Sequence, residues 1–216
     1  MLHKAAGDLN TLVNRPKIIE DTLMPNYDQY AYMMFMLPVI MNARIVVETG
    51  LGWGHSSKIH LESLSLLDQP RELHTYEYRS PDSTDFGFKY SEIEQQVRNI
   101  GFKAKWFVHY QDSVQGGREW AGNKIDILYL DSDHSFEHVN KELEAWYPHM
   151  NKKCVIYTDD IWCQNTPHQA INKINPGVCP QDPYWSFKNF WDNHKEFNFI
   201  NLSYPEGKSI LVRYNE

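Results

Sequence analysis

The sequence predicts an α/β fold: a mostly parallel β-sheet with helices on both faces, ending in a C-terminal antiparallel hairpin. Three observations carry this. Short β-branched runs alternate with segments of helical periodicity through the middle of the chain, the pattern of repeated β–α units around a parallel sheet. Residues 125–130 are almost continuously apolar, as a strand covered on both faces must be. The tail holds two strand-like runs separated by Pro205-Glu-Gly-Lys208, a turn too short for anything but antiparallel pairing.

Taken in order, residues 44–48 read as a buried strand. Residues 55–67 follow with Ile59, Leu61, Leu64, Leu66 and Leu67 on a mostly helical face. Residues 72–77 alternate like a strand, and 90–100 are helical, with Gly101 where a helix-ending glycine belongs. Residues 104–109 are strand-like and 125–130 form the central strand. Phe136, Val139, Leu143, Trp146 and Tyr147 then recur at helical spacing. Residues 154–158 make a fifth strand, and 197–204 and 209–214 the hairpin. Ahead of the first strand, Tyr30, Met33, Met34 and Leu37 read as the packing face of a helix. Residues 80–88 and 162–184 are long loops. The second carries Pro167, Pro176, Pro180 and Pro183, and long loops in compact domains often serve as lids.

Composition narrows the function. A chain of 216 residues buries roughly 70% of its unfolded surface and folds without a disulfide or metal staple. Its 21 basic and 28 acidic residues leave a net charge of −7, which argues against a nucleic-acid partner. Cys154, Cys163 and Cys179 form no paired framework, so reduced thiols and a cytoplasmic location are expected. The start lacks a signal-peptide pattern, and the longest apolar run, 30–41, contains Pro38 and is too short for a membrane span. Aromatic residues make up 14%, an excess that fits either a stacked core or a pocket for flat or sugar-like ligands.

The strongest local motif is Val46-Val-Glu-Thr-Gly-Leu-Gly-Trp-Gly-His-Ser-Ser57, between a strand and a helix. Gly50, Gly52 and Gly54 allow a sharp turn and close ligand approach, and the helix start offers free N–H groups. A dinucleotide fingerprint would place its third glycine at position 55, which is His55. A merely structural βα turn is the rival reading. Ligands of doubly wound sheets lie at the carboxyl ends of the strands. There the chain places Glu48, Glu77, Asp112, Asp131, and the pair Asp159-Asp160. Each acid alone reads as a cap; the set reads as a site.

With these residues in place, the chain resembles the Rossmann-like class I S-adenosylmethionine-dependent methyltransferases. Within them it is similar to small-molecule O-methyltransferases with cephalosporin-biosynthesis and macrolide-sugar relatives. The resemblance rests on VVETGLGWGHSS, IDILYLDSDHSFEHVNKELEAW and VIYTDDI, and spans roughly 44–161. Ser132 stands where the family usually has glycine, and Asn151-Lys152-Lys153 where it has Pro-Gly-Gly. The resemblance implies a seven-stranded sheet in a single domain. Residues 1–43 would be an N-terminal helical extension, 44–161 the cofactor-binding core, 162–184 a lid and 185–216 a helix and hairpin. It implies that Glu48, Gly50, Gly52 and Gly54 shape the methionyl and ribose site, that Glu77 holds the ribose, and that Asp112 and Ser113 flank the adenine.

Asp131, Asp159 and Asp160 end adjacent strands and repel one another unless a cation or protons intervene. Oxygen ligands suit Mg²⁺, and the resembled enzymes use such a site; the rival reading is helix caps plus one cofactor-facing acid. An EF-hand reading with Glu142 at the twelfth place fails, because the required glycine is Phe136. His134 and His138 share a helix start without a third zinc ligand. His134 with Asp131 are the candidate bases; His55 and His109 are weaker ones. Tyr27, Tyr30, Tyr32, Trp162, His168, Tyr184 and Trp185 are candidates for the acceptor side. The expected activity is methyl transfer from S-adenosylmethionine to a hydroxyl of a small molecule, Mg²⁺-assisted, in a protein that could form a homo-oligomer. An NAD(P)-dependent oxidoreductase, or a non-catalytic protein of the same fold, is the alternative.

Overall fold

The computed structural model describes residues 28–85, 87–159, 161, 183–202 and 208–214. Helix α1 (Asp28–Met41) leads into β1 (Ile45–Thr49), α2 (His55–Ser65) and β2 (Glu72–Tyr76). A small hairpin of β3 (Thr84–Asp85) and β4 (Phe88–Lys89) precedes α3 (Tyr90–Arg98) and β5 (Lys105–His109). Then come α4 (Ser113–Glu119), β6 (Ile125–Leu130), α5 (Phe136–Trp146), a 3₁₀ turn (Tyr147–His149) and β7 (Met150–Thr158). Helix α6 (Pro183–Asn193) and strands β8 (Asn198–Leu202) and β9 (Lys208–Tyr214) complete the order.

Seven strands form one sheet in the order β5-β2-β1-β6-β7-β9-β8. The first five pair in parallel, and β9 runs antiparallel to both β7 and β8. Alternation along the strands divides the core. Val46, Ile127, Tyr129, Val155 and Tyr157 face the layer of α1, α2 and α3, with Met34, Ile59, Leu64 and Val97. Val47, Leu128, Leu130, Cys154 and Ile156 face the layer of α5 and α6, with Leu143, Trp146 and Phe187. Both faces are covered, which is why the central strands read as apolar runs. Much of the aromatic excess is core: Tyr129 stacks on Tyr157 at 4.6 Å, and Trp146 meets Tyr76 edge-on at 5.0 Å.

Several boundaries differ from expectation. β7 begins at Met150 rather than Cys154, because Asn151 is held to Asp126 and Arg213 donates to the Met150 and Asn151 carbonyls. The stretch 80–88 holds the β3–β4 hairpin. Lys208 does not end a turn: it pairs with Leu202 in the β8–β9 ladder and opens β9. Helix α4 is unforeseen. The extension up to residue 27 and the lid segment 162–182 lie outside the described residues, as do Cys163 and Cys179. No helix among the described residues is long and apolar enough to cross a membrane.

Candidate active site

The parallel strands bring their carboxyl ends to one rim, where a cavity of about 570 Å³ opens. Its floor is the glycine turn after β1. Gly50 has φ +88°, and a Cβ there would stand 2.1 Å from the Asp131 carbonyl oxygen. Only glycine lets the end of β1 lie this close to the end of β6. Gly52 also lines the cavity, with open space where its Cβ would be. Gly54 does not line it: it caps α2 at φ 70° and packs against Val97 and Ile93 of α3.

Glu77 follows β2 and is buried at the wall of the cavity. Its Oε2 accepts the Leu51 N–H at 3.1 Å and its Oε1 the Arg79 N–H at 3.0 Å. The carboxylate is thus fixed against the glycine turn by backbone donors. Asp112 caps α4, accepting the Gln115 N–H at 2.9 Å, and lines the cavity beside Ser113.

Glu48 departs from its expected place. It is fully buried, and Ser57, Thr75 and His60 all hydrogen-bond to its carboxylate. His60 in turn meets the Tyr157 hydroxyl at 2.6 Å. Glu48 shares strand parity with Val46, so it points under the helices rather than into the cavity.

On the other side of the floor, Asp131 ends β6 and lines the cavity with Ser132 and Asp133. The Tyr129 hydroxyl lies 3.0 Å from Asp131 Oδ2 and 2.8 Å from Asp159 Oδ2, and shares its single proton between them. His134 Nε2 lies 3.3 Å from Asp131 Oδ1, and Lys208 Nζ forms a buried ion pair with Asp159 Oδ1. Burial pushes the Asp131 carboxyl above its ordinary pKa; the Asp159 charge adds to this, while His134 and Lys208 oppose it without cancelling it. Asp160 lies outside the described residues. Among the described residues no cluster of His, Cys, Asp or Glu is arranged to hold a metal ion. The Lys208 ammonium already pairs with Asp159, and this pair therefore does not fit a Mg²⁺ site.

Two groups were missed from sequence. Glu142 is fully buried on α5, and its Oε1 accepts from Ser113 and Ser132 and meets His138 Nε2 at 3.4 Å. Its Oε2 is buried without a hydrogen-bond partner. The signal was present: Glu142 sits three residues after Val139, on the buried stripe of the helix. Contact with Glu142 raises the His138 pKa against the opposing effect of burial. Lys208 is the second group, hidden by its place beside a turn-forming sequence. Of the remaining candidates, His109 stacks on Tyr76 and contacts His74. Tyr184 packs on Trp185 and Phe199 away from the cavity. Tyr27, Trp162 and His168 lie outside the described residues.

A family pattern described as a methyltransferase domain matches residues 47–161. No curated protein matches the chain. Among solved structures, a Klebsiella pneumoniae protein provisionally named an O-methyltransferase superposes with a TM-score of 0.68 at 12% identity, covering 98% of this chain and 97% of its own. The O-methyltransferase from Bacillus cereus in complex with SAH gives 0.60 at 14%, covering 98% and 90%. The O-methyltransferase TomG from Streptomyces achromogenes, in complex with SAM, gives 0.60 at 12%, covering 96% and 90%. At such identities these structures speak to the fold.

Proposed function

The chain belongs to the methyltransferase-domain family matched over residues 47–161, and we propose that it transfers a methyl group from S-adenosylmethionine to a hydroxyl of a small molecule. One observation carries this reading: the rim cavity sets a glycine floor between a fixed carboxylate, Glu77, and a second carboxylate with a raised pKa, Asp131.

The residues present fit the cofactor. S-adenosylmethionine, when bound, supplies a methyl carbon activated by a positively charged sulfur. Gly50 and Gly52 leave the backbone bare for close approach. Glu77, already oriented by two N–H donors, accepts from the ribose hydroxyls. Asp112 and Ser113 flank the adenine. Asp131 takes the proton of the acceptor hydroxyl, and His134 beside it steadies the carboxylate or passes the proton on. Glu48 and Gly54 act from below, holding β1 and α2 to their neighbours.

Hydride transfer with a nicotinamide cofactor fits less well, since His55 stands where the third pyrophosphate glycine would be. Mg²⁺ has no part in the reading, because the Lys208 ammonium already pairs with Asp159. A cytoplasmic location belongs to this reading, supported by the sparse, odd number of cysteines in the sequence.

Titration calorimetry with S-adenosylhomocysteine tests the proposal. One site per chain is expected, and Glu77→Ala should weaken it roughly 10- to 100-fold, the worth of hydrogen bonds to a charged group. Binding of NADH without S-adenosylhomocysteine, or of no cofactor at all, would overturn it. A screen of hydroxylated acceptors follows from a positive result.

A further inference from the structure

Lys208 is the first residue of β9 and is 1% exposed. A lysine so deeply buried needs partners to replace its lost water. Its ammonium pairs with Asp159 Oδ1 and lies 5.0 Å from the Tyr30 ring centroid and 5.9 Å from that of Tyr129, aromatic rings that attract a cation. The topology delivers it there. β9 runs antiparallel to β7 with Ile210 opposite Tyr157, so the beginning of β9 sits beside the end of β7, which Asp159 follows.

Around the acid pair the described groups are one cation, one phenol and one imidazole, and the Lys208 ammonium is the charge in direct contact with a carboxylate. Asp159 Oδ1 meets the ammonium and its Oδ2 the Tyr129 hydroxyl. Asp131 Oδ2 meets the same hydroxyl, and its Oδ1 faces His134. A Mg²⁺ ion asks for about six oxygens near 2.1 Å in an octahedron. At Asp159 it would also meet a positive charge already in contact with its ligand.

We propose that the Lys208 ammonium is the built-in cation of this rim. It compensates the acid charge that a divalent ion would otherwise compensate. Through Asp159 and Tyr129 it also holds Asp131 toward the cavity, so that methyl transfer needs no metal. Lys208 is therefore a positioning residue. The positioning role rests on the methyltransferase reading; the charge compensation does not.

The test uses Mn²⁺ as probe, followed by electron paramagnetic resonance on the full chain without cofactor. Wild type and Lys208→Arg should show no site tighter than millimolar. Lys208→Met, with its carboxylates left uncompensated, should bind Mn²⁺ at least about 10-fold more tightly, at one site. Wild-type turnover should survive EDTA. Lys208→Met should lose turnover while keeping its S-adenosylhomocysteine affinity, and Lys208→Arg should restore part of the turnover. A stoichiometric micromolar Mn²⁺ site on wild type, turnover abolished by EDTA, or a folded Lys208→Met that binds no Mn²⁺ would each overturn the proposal. If Lys208→Met does not fold, a stoichiometric micromolar Mn²⁺ site on wild type or turnover abolished by EDTA still overturns the proposal. Because Mn²⁺ binding is read without cofactor, its outcome is separate from whether S-adenosylhomocysteine binds.

Discussion

The two halves of the rim are built differently. Around β1 and β2 the site is made of local pieces: a glycine turn, a carboxylate at the next strand end, and backbone N–H groups that fix it within hydrogen-bond distance. Around β6 and β7 it is made of side chains brought from far apart. Asp131 and Asp159 are joined by Tyr129, and their charge is met by a lysine from a strand that begins almost fifty residues later. The first half resembles a binding cradle whose shape comes from backbone. The second resembles a charge cluster whose state comes from long-range packing. The first should govern cofactor affinity, and the second the rate.

The largest effect should fall on the second half. Asp131→Asn keeps an acceptor for the Tyr129 hydroxyl but cannot take a proton. Turnover should fall roughly 10²- to 10⁴-fold, the usual contribution of a positioned base, while S-adenosylhomocysteine affinity changes little. Single-turnover rates beside calorimetry would check this. An Asp131→Asn enzyme of normal rate would mean that the two halves do not divide binding from chemistry.

A smaller effect, but one that crosses the division, belongs to Gly50. Alanine there has a disfavoured φ and a Cβ 2.1 Å from the Asp131 carbonyl oxygen. Backbone strain of this kind costs about 1–3 kcal/mol, or a fall in melting temperature of up to roughly 10 °C at about 2–4 °C per kcal/mol. Cofactor affinity and turnover should fall together, because the displaced atoms belong to both halves. If only one falls, the turn is less of a joint than its geometry suggests.

The same contrast explains what the sequence disclosed. Strands and the glycine turn were legible because their signals are local: period-two alternation, apolar runs, and glycines at a strand–helix junction. The places of Glu77 and Asp112 at the cavity follow from position, since strand ends at one rim must face one another. The same rule misplaced Glu48, because the rule counts strand ends and ignores parity, and parity sends Glu48 toward His60 and Ser57. Helix α4 was missed for its short length and for Gly116 and Gly117, which weaken the helical signal. Gly116 is needed because a Cβ there would meet the Tyr76 ring at 2.2 Å. In the sequence Lys208 reads as part of a turn because Pro205 and Gly207 precede it with turn chemistry. Its parity with Ile210, a core residue, shows that it points inward. The cation of the acid cluster was thus visible only once the antiparallel register was known.

The smallest effect tests where the halves touch. Glu142 receives Ser113 from beside Asp112 and Ser132 from beside Asp131, with His138 leaning on the same oxygen. That contact raises the His138 pKa above its ordinary 6.5. The folded protein therefore holds this proton more tightly than the unfolded chain does. The resulting stability is fully present below about pH 6.5 and is lost as pH rises through the raised folded value. A partly exposed ion pair is worth under about 1 kcal/mol, so the melting temperature should change by no more than about 4 °C across that window. His138→Gln should lower the acid-side plateau and flatten the slope between pH 6 and 8, as read by thermal unfolding. An unchanged slope would assign the pH dependence to another group. If S-adenosylhomocysteine affinity follows the same titration in wild type and loses it in His138→Gln, then Glu142 couples the two halves.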